Sequence, residues 1–157
     1  GICGAKAQRV HPCMLQLLLP NSELMIMTFK QIKVAVGVVL RGDETFITRR
    51  LAHQHQGGKW EFPGGKVEAD ETTEQALIRE LKEEIGIQAH SSTPLIVIEH
   101  QYPDKHVLLD VHTVSDFTGA PRGLEGQEGQ WIPLTKLPEM DFPEANKEIV
   151  TRLLNQQ

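Results

Sequence analysis

Three glutamates in the middle of the chain have a spacing that places their carboxylates together. Glu80, Glu83 and Glu84 stand at positions i, i+3 and i+4, which share one face of an α-helix. Carboxylate oxygens are the ligands of hard divalent cations such as Mg²⁺ and Mn²⁺, which also bridge to substrate phosphates. Three glutamates alone are more typical of a solvated acidic face. A metal site is therefore a hypothesis that the neighbouring residues must decide.

The segment that carries these glutamates has the pattern of an amphipathic helix over residues 72–85. Thr72 and Gln75 have the spacing of a capping box, and Gly86 is placed to end the helix. Beside the acidic face lies an apolar face, formed by Leu77, Ile78, Leu81 and Ile85. Such a helix can dock on a sheet with one side and present three carboxylates with the other.

The residues around this helix extend the pattern in both directions. Gly65 is followed after five residues by Glu71, and seven further residues lead to Arg79-Glu80-Leu81, any residue, Glu83-Glu84, any residue and Gly86-Ile87. This 23-residue arrangement resembles the Nudix box at every fixed position. On these residues the chain resembles the Nudix hydrolase family.

The resemblance implies a set of metal-site residues. Glu80, Glu83 and Glu84 match the box carboxylates that hold divalent metal, with Glu84 the main direct ligand, and the backbone carbonyl of Gly64 matches a further ligand. Glu125, outside the box, matches a loop glutamate that serves as a metal ligand or as a base. The implied cofactor is Mg²⁺, with Mn²⁺ as an alternative. The general base stays open among Glu80, Glu83 and Glu125.

Four other box positions are expected to support the site. Arg79 matches the arginine that orients the glutamates through ion pairs, and Glu71 matches a mainly structural position. Gly65 and Gly86 permit loop geometry that a Cβ would obstruct. These four residues are therefore expected to act on the carboxylates and the loops more than on the substrate.

The likeness covers about residues 30–155 and points to the MutT-type members of the family. The matching segments outside the box are Phe46–Arg50, Glu61–Lys66, Gly126–Trp131 and Asp141–Pro143. The resemblance implies metal-dependent hydrolysis of 8-oxo-dGTP by attack of water at the β-phosphorus, giving 8-oxo-dGMP and pyrophosphate. Such a reaction would remove a mutagenic nucleotide from the pool used in DNA replication.

Base recognition is expected at Asn146, by the same resemblance, with Arg50 and Phe62 as supporting pocket residues. An amide has a donor and an acceptor in one plane, so it can bind a purine edge. Oxidation at C8 turns guanine N7 from an acceptor into a donor, and a buried polar atom left unpaired costs about 1–3 kcal/mol. The atom that accepts the N7 hydrogen, a side chain or a backbone carbonyl, stays open.

Two other functions compete with this interpretation. One is a Nudix hydrolase that acts on a different diphosphate compound, such as ADP-ribose, a pterin triphosphate or another nucleoside triphosphate. The other is a non-catalytic nucleotide-binding module, since fold alone does not determine function. A module of that kind predicts damaged metal ligands, whereas the three box glutamates are all present.

The elements that must position these residues follow an α/β pattern. Strands are predicted at residues 32–40, 45–50, 95–102, 106–117 and 130–133, from runs of β-branched and aromatic residues between turn signals. A closing helix is predicted at residues 143–154, with Ile149, Leu153 and Leu154 as its apolar stripe. By resemblance, we expect a Nudix α/β/α sandwich whose mixed sheet lies between the box helix and the C-terminal helix.

Composition excludes several classes of partner. The chain has 157 residues and a formal net charge of −5, which argues against binding long nucleic acid. No apolar run reaches the roughly 18–20 residues of a membrane span. Two cysteines, Cys3 and Cys13, in an otherwise cysteine-free chain favour a reducing compartment. We therefore expect a cytoplasmic monomer that binds a small nucleotide.

Residues 1–26 differ from the rest of the sequence. They contain both cysteines, Pro12 and Pro20, and show no sustained period. We expect them to be a dispensable extension, non-native or disordered, with the Nudix domain spanning 27–157. A native arm that packs on the domain or on a partner is the alternative.

The segment from His53 to Lys59 is polar and contains a His-x-His pair. His53 and His55 could share a metal on a strand, but their neighbours Gln54, Gln56, Gly57 and Gly58 favour a mobile loop. Such a loop could close over a substrate. After it, Trp60 stands where the family has a smaller apolar residue, and we expect it to pack or to line the pocket.

Overall fold

The computed structural model describes Met14–Leu18, Leu24–Thr28 and residues 30–156. The elements in chain order are β1 (Met14–Leu18), β2 (Leu24–Thr28), β3 (Lys30–Arg41), β4 (Glu44–Arg49), β5 (Trp60–Glu61), β6 (Gly64–Lys66), α1 (Thr73–Ile85), β7 (Gln88–Ala89), β8 (Thr93–Gln101), β9 (Lys105–Val114), β10 (Phe117–Thr118), β11 (Gly129–Pro133), a 3-10 helix (Leu134–Glu139) and α2 (Glu144–Asn155). The strand and helix pattern is the α/β order expected from the sequence.

A seven-stranded mixed sheet forms the centre of the molecule. Its main path runs β11-β4-β3-β9-β8, while β5 pairs with β4 and β6 pairs with β3. The long strand β3 lies parallel to β9 and antiparallel to β4 and β6. Because β6 leads directly into the segment before α1, this pairing holds the start of the Nudix-box pattern against the middle of the sheet.

Alternating residues of β3 separate two layers of core. Ala35 and Val39 pack with α1 residues in one cluster, and Val36 and Val38 pack with α2 residues in the other. Successive side chains of a strand point to opposite faces, so a β-branched strand can be buried on both sides. A helix therefore covers each face of the sheet, and the expected α/β/α sandwich is confirmed.

Both α-helices have the ends that their sequences predict. The Thr72 side chain accepts a hydrogen bond from Gln75 N and the Gln75 side chain accepts one from Thr72 N, which completes the capping box of α1. Gly86 ends α1 in the left-handed region at φ 74°. In α2, Ile149, Val150 and Leu153 are buried. No helix in the described part of the chain is long and apolar enough to cross a bilayer.

Several short elements differ from the sequence expectation. The strand predicted at 106–117 ends at Val114, and Phe117–Thr118 pairs separately with β7. The two-residue strands β5, β7 and β10, the three-residue β6 and the 3-10 helix were not predicted. Elements of two or three residues contain no complete hydrophobic period, so only their pairing partners define them.

The first two strands pair only with each other in the described structure. Met14 faces Thr28 and Leu18 faces Leu24 in an antiparallel ladder. The expected boundary between residues 26 and 27 falls inside β2. Both cysteines lie outside the described residues. That residues 1–26 are a dispensable extension stays a prediction.

Candidate metal and nucleotide site

The acidic residues of α1 lie on the side of the helix that does not enter the core. Leu77, Leu81 and Ile85 are fully buried against the sheet. Glu80 is mostly buried at the edge of the helix, with 21% of its side chain exposed, whereas Glu83 is 58% exposed. The helix therefore presents its carboxylates over a range of depths, from solvent down to the sheet.

Glu84 is the most deeply buried of the three glutamates. Its Oε2 accepts a hydrogen bond of 3.0 Å from the backbone N–H of Gly64, at the start of β6. Burial raises the pKa of Glu84 to about 8, and the negative charges of Glu61, Glu125 and Glu80 add to this rise. A carboxylate with so few compensating donors is poised to bind a cation, because a nearby positive charge favours its ionised form.

Arg79 connects the beginning of the box to Glu80. Its guanidinium donates to both oxygens of Glu71 at 2.7 and 2.8 Å, to Glu80 Oε1 at 2.6 Å and to the carbonyl of Lys66 at 3.0 Å. Hydrogen bonds from Arg79 hold the pKa of Glu71 down to about 2. Arg79 thus holds Glu80 through an ion pair, as the sequence resemblance implied for this arginine.

Burial raises the pKa of Glu80 even though Arg79 lowers it, and the charges of Glu83 and Glu125 add to the rise. Gly65 lies directly against the Glu80 carboxylate, where any Cβ would collide with it. A Cβ at this position would therefore require the Glu80 side chain to move. A larger residue there would displace the carboxylate from its place beside Arg79.

The loop glutamate, Glu125, lies beside the C-terminal half of α1. Its charge raises the pKa of both Glu80 and Glu84. Glu125 and Glu84 also line one small polar cavity together with Glu61 and Gln127. Glu125 lies 41 positions after Glu84 in the sequence, so only the tertiary structure brings it next to the box carboxylates.

The donor set of this region fits a hard divalent cation in its chemistry. All the side-chain donors are carboxylate oxygens, which Mg²⁺ and Mn²⁺ prefer, and burial together with neighbouring negative charges raises the pKa of Glu80 and of Glu84. Within residues 30–156, no three His, Cys, Asp or Glu side chains converge closely enough to hold one ion. In this arrangement Glu80 is bound to Arg79 and Glu84 to Gly64.

The three residues expected to recognise a base line one cavity. Arg50, Phe62 and Asn146 surround it, and the Gly64 backbone borders it. Four apolar side chains from β3 and β9 also line it, namely Val34, Val36, Val107 and Leu109. Asn146 Oδ1 faces the backbone N–H of Phe62 at 3.5 Å. With its oxygen turned to Phe62 by this long contact, Asn146 keeps its NH₂ group available as a donor.

Phe62 is fixed by its neighbours beneath the cavity. Its ring stacks on Phe142 with centroids 5.3 Å apart and an interplanar angle of 4°. Phe142 is 1% exposed and precedes α2, which carries Asn146. The stack joins the segment before the Nudix box to the start of α2 and sets the separation of Phe62 and Asn146.

A partly buried ion pair forms the wall between the two cavities. Arg50 donates from one guanidinium nitrogen to both oxygens of Glu61, at 2.9 and 3.1 Å. Arg50 and Glu61 line both the Asn146 cavity and the cavity of Glu84 and Glu125. Burial raises the pKa of Glu61, although Arg50 opposes that rise. The two cavities are therefore adjacent, and a molecule with a base and a polyphosphate could occupy both.

The sequence analysis missed several residues of these cavities. Glu61 was read only as part of a matching segment, although a charged residue between Trp60 and Phe62 was a signal of a special environment. His100 and Tyr102, whose rings lie 4.5 Å apart, line the Asn146 cavity from the hairpin of β8 and β9. The sequence predicts the two strands of this hairpin, but no local motif revealed that the hairpin borders the cavity.

The polar loop from His53 to Lys59 borders the Asn146 cavity, whereas Trp60 packs in the core. His55 and Gln56 line the Asn146 cavity, and the carbonyl of His55 accepts a 2.6 Å hydrogen bond from Arg50 Nε. His53 is exposed and does not line this cavity. Trp60 is 8% exposed and packs in the core cluster on the α2 side.

A family model described as a NUDIX domain matches residues 35–152 of this chain. The matched region contains α1, both cavities and the loop of Glu125. It begins within β3 and ends within α2. The match therefore covers the sandwich that carries the whole candidate site.

Individual proteins with known names resemble the same region. The chain is 43% identical over 125 residues to the 8-oxo-dGTP diphosphatase of Escherichia coli K12, covering 79% of this chain and 97% of that protein. It is 38% identical over 104 residues to the CTP pyrophosphohydrolase of the same organism, covering 65% of this chain and 76% of the other.

A solved MutT structure, from work on the Aliivibrio salmonicida and Vibrio cholerae proteins, superimposes with a TM-score of 0.73 at 40% identity. The superposition covers 82% of this chain and all of that one. Sequence and structure thus agree on one fold and on one group of relatives.

Proposed function

This chain belongs to the NUDIX family of hydrolases, and on that premise we propose that it hydrolyses 8-oxo-dGTP to 8-oxo-dGMP and pyrophosphate. The observation that carries the proposal is the pair of adjacent cavities. One presents Asn146 beside an apolar floor that suits a base, and the other presents Glu84 and Glu125, which suit the metal-bound phosphates. The identity to the 8-oxo-dGTP diphosphatase of Escherichia coli supports this substrate.

The proposed metal is Mg²⁺, with Mn²⁺ as an alternative, since members of the family generally need a divalent ion. Glu80, Glu83, Glu84, Glu125 and the Gly64 carbonyl would hold it. When bound, the ion neutralises phosphate oxygens and makes a bound water more acidic. The general base is proposed among Glu80, Glu83 and Glu125, whose carboxylates lie near the end of α1.

The residues of this chain set the geometry of the proposed reaction. Arg79 holds Glu80 in place, and the Gly64 N–H holds Glu84. A carboxylate accepts the proton of the attacking water, which adds to the β-phosphorus, and the bond to the oxygen that bridges to the α-phosphorus breaks. The pyrophosphate leaves with the oxygen of the water, and the nucleoside monophosphate keeps the bridging oxygen.

The base would be held by Asn146 and Phe62. The NH₂ of Asn146 can donate to guanine O6, because its oxygen faces Phe62 N–H. Arg50 would contribute mainly indirectly, since its Nε donates to the His55 carbonyl and one terminal nitrogen donates to Glu61. The free nucleotide that this reaction removes is a cytoplasmic compound, and a single chain contains both cavities. We therefore propose a cytoplasmic enzyme that acts as a monomer.

The proposal is tested by pyrophosphate release from 8-oxo-dGTP, dGTP and CTP, measured side by side with Mg²⁺. We expect 8-oxo-dGTP to have the highest kcat/KM, and Asn146→Ala to reduce its advantage over dGTP. CTP is the second candidate because of the 38% identity to a CTP pyrophosphohydrolase. A higher kcat/KM for CTP would replace the proposed substrate. ¹⁸O from labelled water recovered in the monophosphate would reject attack at the β-phosphorus.

The Nudix domain is proposed to begin at residue 27, with residues 1–26 dispensable. The separate pairing of β1 with β2 supports this proposal, because it contributes no strand to the central sheet. A chain that starts at Met27 should keep the kcat and KM of the full chain. A large loss of either constant would favour the native arm.

A further inference from the structure

The segment from Gly119 to Gly129 crosses the C-terminal end of α1 and carries Glu125. The backbone N–H of Arg122 donates to the carbonyl of Ile85, and that of Leu124 donates to the carbonyl of Glu84, both at 3.0 Å. The last carbonyls of a helix have no partner within the helix. The loop supplies these partners, so its position is set by the end of the helix that carries the box glutamates.

Glu125 follows these two tethers, and a single side chain continues the connection. Gln127 Oε1 accepts a 2.8 Å hydrogen bond from the backbone N–H of Glu125. Gln127 Nε2 lies 3.4 Å from the carbonyl of Glu84, a long hydrogen bond. The side-chain amide of Gln127 thus accepts from the backbone of Glu125 and donates to the backbone of Glu84.

The fold of the loop brings Gln127 to this position. Gly126 lies between the two partners at φ 86°, a left-handed conformation that favours glycine. Gly123 packs so closely on the carbonyl of Gln127 that a Cβ would collide with it. The loop therefore turns back on itself, and the Gln127 side chain faces the cavity that Glu84 and Glu125 line.

We propose that Gln127 is a positioning residue for the carboxylate site, which sets the place of Glu125 relative to Glu84. This inference rests on the proposed function, in which both glutamates hold the metal. Glu125 has an exposed side chain on a loop, so its backbone must be held if its carboxylate is to meet an ion at a defined point. A residue that orients a metal ligand commonly affects metal affinity or activity by about 10–100-fold when it is changed.

The test compares Gln127→Met with a matched control, Gln88→Met, in the full chain. Methionine keeps the length of glutamine and removes both hydrogen-bonding functions. Gln88 is an exposed glutamine outside both cavities, whose amide also donates to a backbone carbonyl, that of Ala89 at 3.2 Å. Binding of Mn²⁺ alone is measured by electron paramagnetic resonance, and the melting temperature is measured without metal. The kcat, the KM for 8-oxo-dGTP and the Mg²⁺ concentration for half-maximal rate are measured separately.

We expect Gln127→Met to weaken Mn²⁺ binding and lower kcat by about tenfold each, and to raise the required Mg²⁺ concentration. The KM for the nucleotide should stay within about twofold of wild type, because the Asn146 cavity is unchanged. The melting temperature should stay within about 2 °C of that of Gln88→Met. A loss of metal affinity accompanied by a much larger fall in melting temperature would show a merely structural role and overturn the inference.

Two further outcomes separate this inference from the proposed function. If Glu125→Gln abolishes turnover while Gln127→Met binds Mn²⁺ and turns over like wild type, the function stands and the positioning role is rejected. If the wild type hydrolyses none of the tested nucleotides but Gln127→Met still weakens Mn²⁺ binding, the substrate proposal fails and the positioning role stands. Equal Mn²⁺ affinity in wild type, Glu125→Gln and Gln127→Met would show that Glu125 does not hold the ion and would overturn the positioning role of Gln127.

Discussion

The two ends of helix α1 both carry polar side chains, but they differ in how those side chains are paired. At the N-terminal end, Asp110 accepts a 2.7 Å hydrogen bond from Thr73 and lies 3.2 Å from His112 Nε2. Ser92 lies 2.8 Å from His112 Nδ1 and donates from its backbone N–H and its hydroxyl to Glu74. Each acid there has donors within the protein.

At the C-terminal end, acids outnumber their partners. Glu80, Glu84 and Glu125 act on one another, and the main protein donors are Arg79 for Glu80 and the Gly64 N–H for Glu84. Burial raises the pKa of Glu80 and of Glu84, and the neighbouring carboxylates add to the rise. The comparison teaches that polar residues on one helix differ in role according to whether the protein itself satisfies them. The satisfied network fastens the helix, and the unsatisfied one is available to a cation.

The largest expected effect is the loss of activity in Glu84→Gln, which directly tests the role of the C-terminal end of α1. Glutamine can still accept the Gly64 hydrogen bond but carries no charge for a cation. Losing several kcal/mol of transition-state stabilisation corresponds to roughly a 10³-fold fall in kcat. Pyrophosphate release at saturating Mg²⁺ measures this. A fall of less than tenfold would mean that Glu84 is not the main ligand.

The pH dependence of the free energy of unfolding, measured without metal, tests the same difference between the two ends of α1. The pKa of Glu84 is raised to about 8 in the folded protein, so the folded state retains a proton that the unfolded state releases above pH of about 4.5. The free energy of unfolding should therefore fall as pH rises from about 5 to 8. At about 1.4 kcal/mol per pKa unit, Glu84 should contribute a fall on the order of 3 kcal/mol.

Urea unfolding in EDTA, at pH 5 and pH 8, measures this contribution as the difference between wild type and Glu84→Gln. The variant should lose less stability than wild type over that interval, because it has no proton to release at this position. An equal change in the free energy of unfolding between pH 5 and pH 8 in the two proteins would show that Glu84 is not buried in its protonated form. Added Mn²⁺ should remove most of the difference by binding the ionised carboxylate in wild type.

Asp110→Ala tests the N-terminal end of α1, where the polar side chains are paired within the protein. The substitution leaves the buried Thr73 hydroxyl and the His112 ring without their acceptor, at a cost of about 2 kcal/mol in the free energy of unfolding. Asp104→Ala, on the exposed turn between β8 and β9, is the matched control. We expect kcat for Asp110→Ala to stay within about threefold, because Asp110 lines neither cavity. A loss of Mn²⁺ affinity comparable to that of Glu84→Gln would break the comparison between the two ends.

The smallest expected effect is that of Arg79→Lys, which lies between the two ends. The arginine donates to both oxygens of Glu71, to one oxygen of Glu80 and to the carbonyl of Lys66. The ammonium group of lysine is a compact charge and cannot make all of these hydrogen bonds at once. A misplaced supporting residue should lower kcat by about tenfold with little change in KM. An unchanged kcat would show that Glu80 needs no fixing by Arg79.

Local patterns predicted the parts of the fold and site that depend on neighbours in sequence. Helix α1 was predicted over residues 72–85 and spans Thr73–Ile85, because its capping box and terminal glycine act within a few residues. The placement of Glu80, Glu83 and Glu84 on one face follows from the same short spacing. The Nudix resemblance added Glu125, Arg50, Phe62 and Asn146, and their roles stay predictions even though the fold brings them to two adjacent cavities.

Residues that depend on strand pairing could not be predicted. Glu61 enters the site because β5 pairs with β4, which places Glu61 opposite Thr48 and within reach of Arg50. Asp110 and His112 lie in the strand predicted at 106–117, and their partners Thr73 and Ser92 lie 37 and 20 residues away in sequence. Gln127 lay inside a matching segment, but its two hydrogen bonds exist only once the loop meets the helix end.

By itself, the sequence determined the helix that carries the carboxylates, the order of the longer strands and the two α-helices of the sandwich, and the family of the enzyme. Helical spacing and capping act over a few residues, so the chain specifies them locally. The tertiary structure alone decided which carboxylates are buried close to one another with few donors, which ion pair divides the two cavities, and how Glu125 is held beside Glu84. Burial and distance between remote residues set the charge balance of a site, and neither exists until the sheet and its two covering helices have formed.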